Sequence, residues 1–116
     1  MQDVRFTPKL VGPVEELRAT TLTDFRRLSK DPKEAALKIR DKVDLIGQES
    51  YTQRIAAVTA WQESEVYRLY LEVLRESLGG GKPPKEVIAG RNAAGKPTLT
   101  DAEFAAIMEL SRTLRL

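Results

Sequence analysis

The chain has 116 residues, 41% hydrophobic and 31% charged, with 19 Lys/Arg against 17 Asp/Glu and neither histidine nor cysteine. That is one domain, long enough to close a hydrophobic core and too apolar for disorder. The missing residue types exclude disulfide staples, thiol nucleophiles, the usual near-neutral general base and nearly all structural zinc sites.

Residues 1–12 read as an extended arm, because Val4 and Phe6 alternate with Arg5 and Thr7 before Pro8, the two-residue period of a strand. The arm packs on its own helices or reaches a partner. Gly12-Pro13 then opens a predicted helix over 13–29, since Pro suits the first helical position. Its apolar spacing is Val14, Leu17, Thr21, Phe25 and Leu28, with a weak point at Thr20, Thr21 and Thr23. Asp31-Pro32 restarts the chain, Glu34 follows three residues after the cap, and Ala36, Ile39, Val43 and Ile46 predict a helix over 32–46 with Gly47 as its left-handed exit.

No Pro or Gly interrupts residues 48–78, which predicts one long central helix. Tyr51, Ile55, Val58, Gln62, Val66, Leu69 and Val73 follow helical spacing along it, and Tyr67, Tyr70, Leu71, Leu74 and Leu78 widen that stripe. The helix contains an echo: Gln48-Glu49-Ser50 returns fourteen residues later as Gln62-Glu63-Ser64. On a continuous helix both copies lie on nearly one face, as a solvated ridge or a dock for a partner helix. Gly79-Gly80-Gly81 ends this helix, and residues 79–99 form a Gly/Pro-rich connector with a short turn near 84–90. The last helix is predicted over 101–115, with Thr100 as cap, Glu103 completing a capping box and Leu99 stapled to Phe104. The fold class is therefore all-α: a compact bundle of about four helices around a long central one, with an extended N-terminal arm.

Two strings look like chemistry. Gly90-Arg91-Asn92-Ala93-Ala94-Gly95-Lys96 matches the core of a phosphate-binding loop. However, Pro97 stands where Ser or Thr would hold magnesium, and the next helix begins only after Thr100. The string therefore reads as a surface connector in which Arg91 and Lys96 form a small anion contact. Gln48-Glu49-Ser50, after Leu45-Ile46, resembles the segment around the catalytic glutamate of lytic transglycosylases. The Gly-rich segment and further Gln motif of that family do not follow, and the repeat at 62–64 favours a helix-surface pattern. Tyr51, Tyr67 and Tyr70 read as core or rim tyrosines rather than nucleophiles.

Charge is evenly spread: residues 1–46 carry ten Lys/Arg against eight Asp/Glu, and residues 47–116 carry nine against nine. Arg26, Arg27, Lys30 and Lys33 make the one local basic cluster, at the junction of the first two helices, and Lys38, Arg40 and Lys42 extend it. No stretch approaches the ~20 apolar residues of a membrane span, and residues 1–12 lack the apolar segment of a secretory signal. The expected location is cytoplasmic. With catalytic parts missing and charge balanced, the expected function is a non-catalytic protein–protein interaction or assembly module, self-associating or binding another protein. Trp61, Phe6 and Val4 are its candidate contacts, Trp61 reading as a core residue that becomes an interface anchor only if exposed, and no cofactor or metal is expected. The alternative is a nucleic-acid-binding accessory protein using the basic junction; a small carboxylate- or lysine-dependent enzyme comes third.

Overall fold

The structure, a computed structural model, describes residues 12–116. Among them the chain is all-helical, with seven helices and no strand: α1 (Pro13–Arg18), α2 (Leu22–Leu28), α3 (Pro32–Gly47), α4 (Tyr51–Gln62), α5 (Glu65–Gly80), α6 (Pro84–Ala93) and α7 (Asp101–Leu114). The arm, with Val4 and Phe6, lies outside the described residues.

Two predicted helices are each broken in two, and in both cases a hydroxyl residue makes the break. In the first, Thr20 bonds back to the Glu16 carbonyl at 2.9 Å. Thr21 and Asp24 then close a reciprocal capping box that starts α2. The box holds the Asp24 carboxyl below its ordinary range, chiefly through the Thr21 amide and then its hydroxyl. In the second, the long central helix is absent. Helix α4 ends at Gln62, and Ser64, fully buried, accepts the Tyr67 amide at 3.2 Å to begin α5. Ser50 does the same for α4, accepting the Gln53 amide at 3.1 Å.

The Gln-Glu-Ser echo is therefore helix punctuation and not a ridge. Each copy places a serine at an N-cap, where its oxygen satisfies an orphan amide that a helix interior would leave no use for. Fourteen residues separate the copies because a twelve-residue helix and a two-residue joint lie between them.

Three smaller expectations also change. Gly47 is the last residue of α3 and not its left-handed exit; Gln48 follows in ordinary helical geometry. The glycine instead permits close approach of α4, because a Cβ there would lie 3.0 Å from the Arg54 Cβ. The left-handed exit occurs at Gly81, with φ of 64°, closing α5. The turn near 84–90 is a full helix, α6, which runs through Gly90 to Ala93. Helix α7 starts with the predicted capping box between Thr100 and Glu103 and ends at Leu114.

The core is one cluster containing Leu17, Phe25, Val43, Trp61, Val66, Val73, Leu99 and Ile107, all essentially fully buried. Neighbouring aromatic rings run through it from Trp61 to Tyr67, Tyr70 and Phe104, with centroids 6.1, 5.5 and 5.0 Å apart in turn. Two buried ion-pairing groups tie distant helices over this core. Glu103 of α7 receives Arg26 of α2 in a two-pronged contact at 2.7 and 2.9 Å. Arg91 of α6 reaches Glu72 and Glu76 of α5 and also donates to the Pro97 carbonyl at 3.0 and 2.8 Å, pinning the connector.

Candidate functional site

Helix α4 faces the core with Ala57, Ala60 and Trp61. These positions recur at three and four residues, so they define one side of the helix. The opposite side carries Tyr51, Thr52, Ile55, Val58, Thr59 and Gln62, spaced the same way. Tyr51 is 77% exposed and Ile55 48% exposed, while Val58 is half-buried. Tyr51 and Ile55 of the predicted stripe thus point outward in α4, and the buried side is formed by Ala57, Ala60 and Trp61, none of which belongs to that stripe.

This outer face bears no charge. The one charged residue of α4, Arg54, is turned toward α3, where it meets Asp44 at 2.9 Å. Charges mark only the two ends of the helix: Glu49 just before it is exposed, and Glu63 just after it is held by Arg18 at 2.7 Å. An uncharged, partly apolar helix side of this kind can meet another protein surface without burying an unpaired charge.

The sequence-predicted contacts fall out differently. Trp61 is fully buried, a core residue and not a surface anchor; among the described residues its indole N–H meets no hydrogen-bond acceptor. Val4 and Phe6 lie outside the described residues. The signal that could have found Tyr51 and Ile55 was the serine before each helix, which resets the phase of the stripe at residue 64.

The basic junction is also divided. Arg26 is committed to Glu103, whereas Arg27, Lys30 and Lys33 are exposed and form no ion pair with a described residue. The extending cations are occupied: Lys38 donates to the Leu28 carbonyl, Arg40 to Asp41 and Lys42 to Glu16. Of the predicted anion pair in the connector, Arg91 is nine-tenths buried with all three of its nitrogens bonded, and only Lys96 is exposed. The two are therefore not brought together as an open anion site.

Burial opposes ionisation of Glu103, but Arg26 and the Thr100 amide outweigh it and hold the carboxyl below its ordinary value. This is a structural ion pair capping a helix, with no cleft around it. Burial pushes the Tyr70 phenol up, and neighbouring Tyr67 adds to the rise against opposing contacts from Ser111 and Arg112. A nucleophilic tyrosine needs the reverse shift. Among the described residues no group of three or more acidic side chains is arranged to hold a metal, and no helix is long and apolar enough to cross a membrane. Set against protein-family models, curated proteins and solved structures, the chain matches none of them.

Proposed function

We propose that this protein is a non-catalytic assembly module that associates with a second copy of itself through the outer face of α4. The observation that carries this is the exposure of Tyr51 and Ile55 on a helix side with no charged residue. Almost a third of the chain is charged, so a neutral exposed helix side is a local departure from its surface. A neutral side suits self-contact in particular, because two copies of a charged side would place like charges together. The face of one twelve-residue helix is only about 18 Å long, so association is expected in the weak, concentration-dependent class.

Light scattering across a micromolar-to-millimolar concentration series tests this. The mass should rise with concentration for the native chain and stay monomeric for Ile55→Glu, with the helical circular dichroism of both unchanged. A native chain that stays monomeric throughout, or an Ile55→Glu chain that associates as well as the native one, would sink the proposal.

Nucleic-acid binding at the α2–α3 corner is the second reading, favoured by Arg27, Lys30 and Lys33, which form no ion pair with a described residue. It calls for an affinity that falls steeply with salt and drops when Arg27 and Lys30 are both replaced by Glu. Asp24, Asp31 and Glu34 lie among those cations in the chain and weaken the attraction.

A further inference from the structure

Helix α5 carries a second apolar lane beside its buried stripe. Tyr67, Leu71, Leu74 and Leu78 recur at intervals of four, three and four residues, so they line one side of the helix. Exposure rises along this lane. Tyr67 is buried, Leu71 and Leu74 are half-buried against the core, and Leu78 is 75% exposed. The lane starts beside Trp61, whose ring neighbours that of Tyr67, and runs out into the open.

Cations stand on both edges of it. On one edge are Arg68 and Arg75, both helix-surface neighbours of Leu71. On the other is Arg112 of α7, close to the Tyr70 phenol, and Tyr70 is the helix-surface neighbour of Leu74. Arg68 and Arg75 form no ion pair with a described residue. Glu65 and Glu72 lie three or four positions from them on the same helix, the spacing of a helical ion pair, but both are engaged elsewhere. Glu65 accepts the Leu22 amide at 3.0 Å, and Glu72 holds Arg91 at 3.1 Å. Glu63, which borders the same hollow of about 360 Å³ as Arg68, Leu71 and Arg75, is held by Arg18. Arg112 has only Glu109, at 3.6 Å with both side chains largely exposed, a pair worth little.

We infer that this lane of α5 docks an acidic amphipathic helix of another protein. The leucines meet the apolar side of that helix, and its flanking carboxylates meet Arg68 and Arg75 on one edge and Arg112 on the other. From Tyr67 to Leu78 the lane is about 16 Å long, so three turns of a helix cover it with anchors three and four residues apart. A flat anionic surface fits less well. Leu71 and Leu74 are recessed, and Glu63 and Glu72 border the hollow, so only a narrow ligand reaches leucines and guanidinium groups together. The lane is separate from the outer face of α4, and the inference does not depend on self-association.

Fluorescence anisotropy tests it with two labelled synthetic peptides. Both are helices with leucines three and four residues apart; one has glutamate on both flanks and the other has lysine there. The native chain should bind the glutamate peptide, less tightly as salt rises, and should not bind the lysine peptide. Arg68→Glu combined with Arg75→Glu should weaken binding at least about tenfold, and Leu78→Glu should do the same. All three positions are exposed, so circular dichroism should show native helix content. Ile55→Glu, on the other face, should bind as the native chain does.

No binding of the glutamate peptide, equal binding by the double variant, or equal binding of the lysine peptide overturns the inference. Two further results also overturn it by naming a different occupant. A native chain that ignores the peptide, and loses self-association in the double variant, has a second copy on the lane. One that ignores the peptide and sediments with phosphatidylserine vesicles has a membrane there. A native chain that stays monomeric and binds the glutamate peptide overturns the α4 reading and leaves this one standing.

Discussion

Helices α4 and α5 carry the same apolar spacing in sequence and use it in opposite ways. In α5 the stripe Val66, Leu69 and Val73 is buried, and Tyr67 and Tyr70 are buried beside it. In α4 the stripe members Tyr51 and Ile55 are exposed, and Ala57, Ala60 and Trp61 fill the core. The two-residue joint at Glu63 and Ser64 changes the direction of the chain, so a stripe that is continuous in the sequence is not continuous on the protein. The neighbours differ too. Helix α5 is covered by α2, α6 and α7, with Arg26–Glu103 tying two of these together and Arg91 anchoring the third. Helix α4 packs against α1, α3 and α5 and still leaves Tyr51 and Ile55 exposed on its outer side. Periodicity therefore identifies a face, but only packing decides whether that face is filled or left open.

Substitutions can break this contrast, beginning at the inner side of α4. Trp61→Ala should cost about 3–5 kcal/mol by removing a fully buried side chain. Trp61→Phe should cost clearly less, since it keeps much of the ring and discards an N–H that has no acceptor among the described residues. Denaturant unfolding of the two variants measures both.

Loosening the cover of α5 comes next. Glu103→Gln should cost about 1–3 kcal/mol, because it weakens a buried, charge-assisted pair with Arg26 and a cap contact. Its pH dependence has a defined sign. The folded-state carboxyl titrates below its ordinary value of 4.5. The stabilisation is therefore complete above that value and lost as pH falls through the lowered folded-state value. The stability gap between the native chain and Glu103→Gln should be full near neutrality and close in strong acid; a gap that widens on acidification would contradict the pairing.

At the joint, Ser64→Ala removes the cap of α5 and should cost about 1 kcal/mol. Chemical denaturation should show that loss while helical content changes little. The smallest effect belongs to the outer side of α4. Tyr51→Ala should change the stability of the monomer by no more than about 0.5 kcal/mol and still weaken association in sedimentation. A large loss of monomer stability would mean that the outer face is packed after all.

Much of the fold was legible in the residues. Prolines 13 and 32, the Asp31 cap and the Thr100–Glu103 box all mark helix starts that the structure contains. The break at Thr21 was visible as a run of β-branched residues. Ser64 entered only as part of the Gln-Glu-Ser echo, and the absence of Pro and Gly from residues 48–78 led to one continuous helix. That weighting was misplaced, because a serine oxygen can end one helix and begin another without either. The candidate site was less legible. Trp61, the most conspicuous side chain, is in the core, while Tyr51 and Ile55 were counted among the buried stripe.

What the sequence determined by itself is the all-helical class and the helix starts at Thr21, Asp31, Ser50, Ser64 and Thr100, because a side-chain cap is a hydrogen bond between groups two or three residues apart. What only the tertiary structure decided is which faces are covered. Arg26 and Glu103 lie 77 positions apart, and Arg91 reaches back to α5 from another helix. No local pattern specifies such meetings, because they depend on how whole helices share one core. The open face of α4 and the partly open leucine lane of α5 are products of that sharing.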